Sequence, residues 1–230
     1  NQMGRQRSKE DYEDISKLIH QAALNPHMDS DMLNKICDAS KQNGFAGLCT
    51  SLSHLPIARK RLGSKNDTKL ISIIAFPFGF IPTLNKLKEA EYAIEEGAEE
   101  LDLVPNFHAL NDKNNQLFAE EVNLICELGI PVRVIVDANI LLASKNLSIA
   151  INSSIEAGVN GIQSGNGFGP PTTSIQIKKL SEIVKSRCSI KAVGGIKTFN
   201  QAREIVKAGA THIGTSFGFE LIQEQKNKTQ

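Results

Sequence analysis

Ala157-Gly158-Val159-Asn160-Gly161-Ile162-Gln163 contains the pattern that decides the fold: a helical stretch ends at a glycine, and a short apolar strand follows. A glycine at this point lets the backbone leave the helix and turn into a strand. The same order occurs at Glu96-Gly97-Ala98, Glu127-Leu128-Gly129 and Ala208-Gly209-Ala210. The chain therefore repeats one unit of helix, glycine and strand.

Short apolar segments recur along the whole chain, and their starts are separated by roughly 22 to 32 residues, the length of a strand plus a crossover helix. The predicted strands are residues 18–24, 45–50, 70–76, 100–104, 132–137, 161–163, 190–193 and 212–215. Amphipathic periodicity predicts helices between them, at residues 32–42, 84–96, 119–128, 147–157, 174–185 and 201–208.

Eight such repeats favour a closed (β/α)8 TIM barrel of the α/β class. The alternative is an open, doubly wound sheet, which usually has a glycine-rich turn after its first strand, and no such turn follows residues 18–24. The sequence has no linker or low-complexity tract, so residues 1–230 are predicted to form a single domain. The polar ends, residues 1–10 and 223–230, are predicted to be frayed termini.

Composition excludes several classes of partner. The net charge is +1 and aromatic residues make up 5% of the chain, so neither a basic stripe nor stacking platforms for nucleic acid are expected. The apolar runs are too short to cross a membrane, and the polar start lacks a signal-peptide core. Four scattered cysteines without metal-ligand spacing predict reduced thiols, and the histidines show no ligand pairing. We expect a cytoplasmic protein without a bound metal.

Functional residues of a TIM barrel lie at the carboxyl ends of the strands. The residues with suitable side chains there are His20, Cys49, Asp102, Asp137, Gln163 and Lys191. Asp102 lies between Leu101 and Leu103, so its carboxylate is expected to point into the barrel if those leucines face the helices. Asp137 ends a similar apolar strand. His20 is predicted to be an acid or base of the cavity or an interior hydrogen-bonded histidine, and Cys49 is predicted to be a buried thiol.

Glycine-rich loops follow the last three predicted strands and form a candidate phosphate site. Such loops let the backbone approach an anion closely, and the N–H groups at helix starts bind phosphate. The alternative is that these glycines only permit tight turns, but their joint occurrence late in the chain favours phosphate binding. The predicted phosphate-binding residues are Gly167, Gly194, Gly195, Thr215 and Ser216.

Several motifs in register over most of the chain resemble the deoxyribose-phosphate aldolase family. They are Phe45-Ala46-Gly47-Leu48-Cys49, Phe76-Pro77-Phe78-Gly79, Gly97-Ala98-Glu99-Glu100-Leu101-Asp102-Leu103-Val104, Ile190-Lys191-Ala192-Val193-Gly194-Gly195-Ile196-Lys197-Thr198 and Gly214-Thr215-Ser216. The resemblance implies a class I aldolase that needs no metal or cofactor and cleaves 2-deoxyribose 5-phosphate into glyceraldehyde 3-phosphate and acetaldehyde. It also implies a proton-transferring aspartate at Asp102, a second lysine at Lys191, a small phosphorylated metabolite as ligand and a homodimer.

The chain departs from the family pattern at the position of the Schiff-base lysine, where it has Gln163, and an amide cannot form an imine. The first strand differs as well, with His20-Gln21-Ala22 where the family has Asp, a variable residue and Thr. With a neutral neighbour and Asp102 nearby, Lys191 is expected to be an ammonium ion and a poor nucleophile. We therefore expect a protein that binds a phosphorylated sugar but has lost or altered its class I aldol chemistry. The alternative is a working aldolase that uses Lys191 or acid and base groups.

Overall fold

The computed structural model describes residues 14–229, and they form a closed barrel of eight parallel strands in sequential order, which confirms the predicted TIM barrel. β1 pairs with both β2 and β8, which closes the barrel. The strands are β1 (Ile19–Ala23), β2 (Gly47–Thr50), β3 (Lys69–Ile74), β4 (Glu100–Leu103), β5 (Val132–Ile135), β6 (Gly161–Gln163), β7 (Ser189–Val193) and β8 (His212–Thr215).

Helices connect the strands. They are α1 (Ser30–Gln42), α2 (Leu55–Leu62), α3 (Thr83–Glu95), α4 (Phe107–Asn111), α5 (Asn115–Cys126), α6 (Ala138–Leu141), α7 (Asn146–Glu156), α8 (Ser174–Val184), α9 (Phe199–Lys207) and α10 (Gly218–Thr229). The helices after β6 and β7 begin with capping boxes, in which Thr173 pairs with Gln176 and Thr198 pairs with Gln201. Short 3-10 turns at Ile15–Leu18 and Leu52–His54 precede β1 and α2.

The predicted helix, glycine and strand punctuation is present. Gly209 follows α9 with φ 123°, and a Cβ atom there would lie 2.7 Å from the Ser181 hydroxyl oxygen. Glycine is therefore required both for the backbone angle and for the close approach of α8.

The apolar core lies between the barrel and its helices. In β4, Leu101 and Leu103 are fully buried members of this core, whereas Asp102 between them reaches polar partners inside the barrel. This alternation places one face of each strand against the helices and the other toward the barrel axis. Among residues 14–229, no helix is both long and apolar enough to cross a membrane.

Several boundaries differ from the predicted ones. The predicted first, fourth and fifth strands are longer than the observed strands, which end at Ala23, Leu103 and Ile135. Residues 223–229, part of the predicted frayed carboxyl terminus, continue α10. The Gln225 side-chain oxygen accepts a hydrogen bond from the Ile15 backbone at 3.3 Å, which ties this helix to the segment before β1. The other predicted frayed end, residues 1–10, lies outside the described residues.

Candidate active site

A cavity of about 770 Å³ opens at the carboxyl ends of the strands, where the sequence predicts the functional residues. Its size suits a small organic ligand. Nearly all the candidate residues line it, namely His20, Cys49, Asp102, Gln163, Gly167, Lys191, Gly194, Gly195, Thr215 and Ser216. The strands and the loops after them thus bring these distant positions to one place.

Asp102 is the centre of a buried charge network at the base of the cavity. Its Oδ2 accepts a hydrogen bond from Lys191 Nζ at 2.7 Å, and its Oδ1 accepts one from Arg133 Nε at 2.8 Å. Burial opposes ionisation of Asp102, but the charges and hydrogen bonds of Arg133 and Lys191 outweigh it, so the pKa of Asp102 lies below its usual value. Asp102 is therefore a carboxylate that two cations share.

Arg133 is the functional candidate that the sequence reasoning missed. It lies within the apolar strand β5, it is only 3% exposed, and its Nη1 donates to Glu100 at 3.1 Å. A buried charge needs a partner of opposite charge, so an arginine inside Val132-Arg133-Val134-Ile135 was a usable signal.

Gln163 occupies the carboxyl end of β6 and is the register partner of Lys191 on β7. Its Nε2 donates to the Gly165 carbonyl at 2.9 Å, which fixes the orientation of the amide because a carbonyl can only accept. Its Oε1 is buried without a hydrogen-bond partner in the described part of the chain. The residue beside Lys191 is thus a neutral, oriented amide.

His20 is buried at the cavity, with its ring centroid 4.8 Å from that of His212. Burial, followed by the charges of Lys191 and Arg133, holds the pKa of His20 well below its usual value. Within residues 14–229 its Nδ1 has no hydrogen-bond partner. His20 is therefore a neutral imidazole, and either ring nitrogen is a donor or an acceptor according to its tautomer.

Cys49 is a buried thiol, as predicted. Its Sγ lies 3.8 Å from Asp102 Oδ2, and burial raises the pKa of the thiol to about 12. A protonated sulfur next to a carboxylate is a weak hydrogen-bond donor, so this position does not provide a thiolate nucleophile.

The late loops form one side of the cavity. The Thr215 hydroxyl donates to the Ile196 carbonyl at 2.7 Å and accepts from the Phe217 backbone at 3.0 Å, so it joins the loops after β7 and β8. Gly195 has φ 66°, and a Cβ atom there would lie 2.6 Å from Pro171 Cβ. Both turn geometry and close packing therefore require this glycine. Lys197, which the sequence reasoning did not single out, also lines the cavity and brings a cation to this side.

Asp137 does not line the cavity and is a correction to the predicted set of pocket residues. It lies two positions beyond the end of β5, and its Oδ1 accepts a hydrogen bond from the Ile140 backbone at 3.3 Å as the N-cap of α6. Helix capping explains this aspartate without a role in the site. In the described chain, no cluster of three or more His, Cys, Asp or Glu residues has an arrangement that suits a metal ion.

Several known proteins that are similar to this chain are aldolases. No family model matches the chain. It is 34% identical to the deoxyribose-phosphate aldolase of Thermococcus kodakarensis, over 91% of this chain and 96% of the relative. Among solved structures, the aldolase QR15 is 30% identical with a TM-score of 0.88, over 94% of this chain and 97% of that one. The deoxyribose phosphate aldolase of Aeropyrum pernix, described as a unique tetramer, is 28% identical with a TM-score of 0.83, over 93% and 92% of the two chains.

Proposed function

We propose, from the premise that the chain belongs to the deoxyribose-phosphate aldolase family, that it is an aldolase of phosphorylated sugars in which Lys191 is the imine-forming amine. The aldolase names of its relatives support a working enzyme better than the expectation that the chemistry has been lost. The substrate class follows from the same names, and 2-deoxyribose 5-phosphate is the proposed substrate.

The observation that carries this proposal is the position of Lys191. Among the described residues that line the cavity, it is the only buried lysine, and its Nζ lies 2.7 Å from the ionised Asp102. Imine formation needs an amine at the carbonyl carbon and a nearby group that exchanges protons with it. Lys191 and Asp102 supply both.

The proposed cleavage has three steps. The free amine of Lys191 attacks the C1 aldehyde, a C–N bond forms, and water leaves to give the protonated imine. The C2–C3 bond then breaks as the C3 hydroxyl loses its proton; the electron pair of the broken bond forms the C1–C2 double bond and the C1–N π pair moves onto nitrogen, which gives an enamine and glyceraldehyde 3-phosphate. Protonation at C2 and addition of water release acetaldehyde and restore the amine. The Asp102 carboxylate is placed to exchange protons with Lys191. His20, a neutral imidazole, is a further donor or acceptor at the cavity.

The phosphate is proposed to lie against the loops after β6, β7 and β8, which line the same cavity as Lys191. The glycines at 167, 194 and 195 leave room for an anion, Ser216 adds a hydroxyl, and Lys197 adds a positive charge. The proposed phosphate site and Lys191 thus belong to one pocket, as binding of a single sugar phosphate requires.

A second candidate function is binding of a phosphorylated sugar without imine chemistry. Gln163 is the specific observation that favours it, because an amide replaces the family's Schiff-base lysine, and the remaining Lys191 is bound by the Asp102 carboxylate at 2.7 Å. Both functions use the proposed phosphate site, and they differ only in whether Lys191 forms an imine.

A cleavage assay with 2-deoxyribose 5-phosphate separates the two functions. The aldolase proposal expects release of acetaldehyde by the unmodified protein, loss of this activity in Lys191→Met, and retention in Lys60→Met, which removes an exposed lysine of α2. A protein that melts at a higher temperature with the sugar phosphate but releases no acetaldehyde is the binding protein instead. The predicted homodimer and cytoplasmic location stay predictions, and light scattering of the purified protein tests the first.

A further inference from the structure

Arg133 places a positive charge inside the barrel, and the proposed cleavage assigns no role to this charge. Its guanidinium is held by Asp102 at 2.8 Å and by Glu100 at 3.1 Å, and it lies outside the set of described residues that line the cavity. Any effect on a bound sugar must therefore pass through Asp102 or through its electric field.

Arg133 and Lys191 bind different oxygens of the same carboxylate. Arg133 takes Oδ1 and Lys191 takes Oδ2 of Asp102, and both cations are almost fully buried. Arg133 therefore fixes one oxygen of the carboxylate and leaves the other directed at Lys191. Arg133 and Lys191 thus share Asp102 as their common counter-ion.

The other groups around Lys191 contribute little charge. Gln163 is a neutral amide, Cys49 is a protonated thiol, and both His20 and His212 are neutral. Burial is the main cause of the low pKa of His212, about 4, and the charge of Arg133 is the next cause. The field of Arg133 therefore reaches the β8 side of the barrel, where His212 is the register partner of Lys191. The carboxylate of Glu100, at the start of β4, also binds Arg133 and partly offsets its positive charge.

We propose that Arg133 is a positioning residue for the imine chemistry: it holds Oδ1 of Asp102, so that Oδ2 stays directed at the Lys191 amine. This inference rests on the proposed function, since it assigns a cause to the reactivity of Lys191.

The test measures the rate at which borohydride traps an acetaldehyde adduct as a function of pH, with peptide mapping of the modified lysine. In Arg133→Met, Asp102 loses the partner that fixes its Oδ1, and trapping at neutral pH is expected to fall about tenfold. Arg133→Lys keeps the charge and should stay close to the unmodified protein. Arg59→Met is the matched control, because it removes another arginine–carboxylate pair, with Glu99, away from the cavity.

A second measurement keeps the inference testable without catalysis. Loss of the Arg133 charge should raise the pKa of His212 from about 4, which an NMR titration detects. If Arg133→Met does not fold, Arg133→Gln removes the charge and retains an amide donor for Asp102.

The possible failures are distinguishable. Trapping on Lys191 of the unmodified protein, with an unchanged trapping rate at neutral pH or an unchanged His212 pKa in the charge-removing variant, overturns the role of Arg133 and leaves the proposed function standing. Absence of any adduct on Lys191 in the unmodified protein overturns the proposed function itself, and the role of Arg133 with it.

Discussion

Gln163 and Lys191 are register partners on neighbouring strands, so the amide that cannot form an imine lies beside the amine that can. Both side chains line the same cavity, and both are buried. Of these two paired positions only 191 is a lysine, where the family pattern has a lysine at both.

Restoring a lysine at position 163 should strengthen the aldol chemistry. Two neighbouring ammonium ions repel each other, so Gln163→Lys raises the free-amine fraction at the site, and we expect acetaldehyde release at pH 7 to increase at least about tenfold. Gln163→Met is the control, because it removes the amide without adding an amine. Equal activities of the two variants would show that a second amine is not what limits this site.

Acidification should destabilise the fold through the neighbouring histidines His20 and His212. The pKa of His20 and that of His212 are lowered in the folded protein, His212 to about 4, so the unfolded chain binds more protons below pH 6.5. Stability is thus complete above that pH and is lost as the pH falls from about 6.5 toward 4, with a slope of up to about 1.4 kcal/mol per pH unit for each histidine.

Urea unfolding between pH 7 and pH 4 measures this slope. His212→Gln should make the loss of stability shallower, because one of the two histidines no longer takes up a proton on unfolding. His108→Gln is the control, since His108 is an exposed histidine of α4. A slope that is the same in all three proteins would refute the assignment.

Even a methyl group at position 195 should destabilise the loop after β7. Gly195→Ala adds a methyl group 2.6 Å from Pro171 Cβ at a φ of 66°, and we expect a cost of about 1–3 kcal/mol together with a higher KM for the sugar phosphate. Gly129→Ala is matched in having a positive φ, 91°, but a Cβ atom there meets nothing within 4 Å. Similar KM values in the two variants would argue against the loop after β7 as part of the phosphate site.

Lys197 should recognise the phosphate and not the reacting carbon. Lys197→Gln is expected to raise the KM for 2-deoxyribose 5-phosphate about tenfold and to leave the reaction of unphosphorylated 2-deoxyribose unchanged, because only the former carries the anion. Lys178→Gln removes an exposed lysine of α8 for comparison. If both sugars lose activity equally, Lys197 does not act through the phosphate.

The barrel was predictable because its signals are local. Glycines after the helices and short apolar strands recur along the chain, and each one limits the backbone independently of distant residues. Helix α2 was missed, although Pro56 in its first turn is compatible with a helix start. The carboxyl-terminal helix was missed because its residues are mostly polar and only a few of them, such as Leu221 and Ile222, reach the core.

The site was predictable only in part, since it depends on which way side chains point. Asp102 and Asp137 each follow apolar residues in a strand region, yet Asp102 lies within β4 and faces inward, whereas Asp137 lies beyond β5 and caps a helix. A difference of a few residues relative to the strand end therefore decides whether an aspartate faces the barrel interior or caps a helix. Arg133 was overlooked because its partners, Asp102 and Glu100, lie on another strand about 30 residues away in sequence, and only the barrel brings them together.

Peptide mapping after borohydride reduction in the presence of acetaldehyde tests the central claim most directly. The reduced imine adds a stable ethyl group to the lysine that formed it. We predict a single modified site at Lys191 in the unmodified protein, and no modification in Lys191→Met. A protein that remains unmodified, or an adduct confined to surface lysines in both proteins, would contradict the assignment of Lys191 as the catalytic amine.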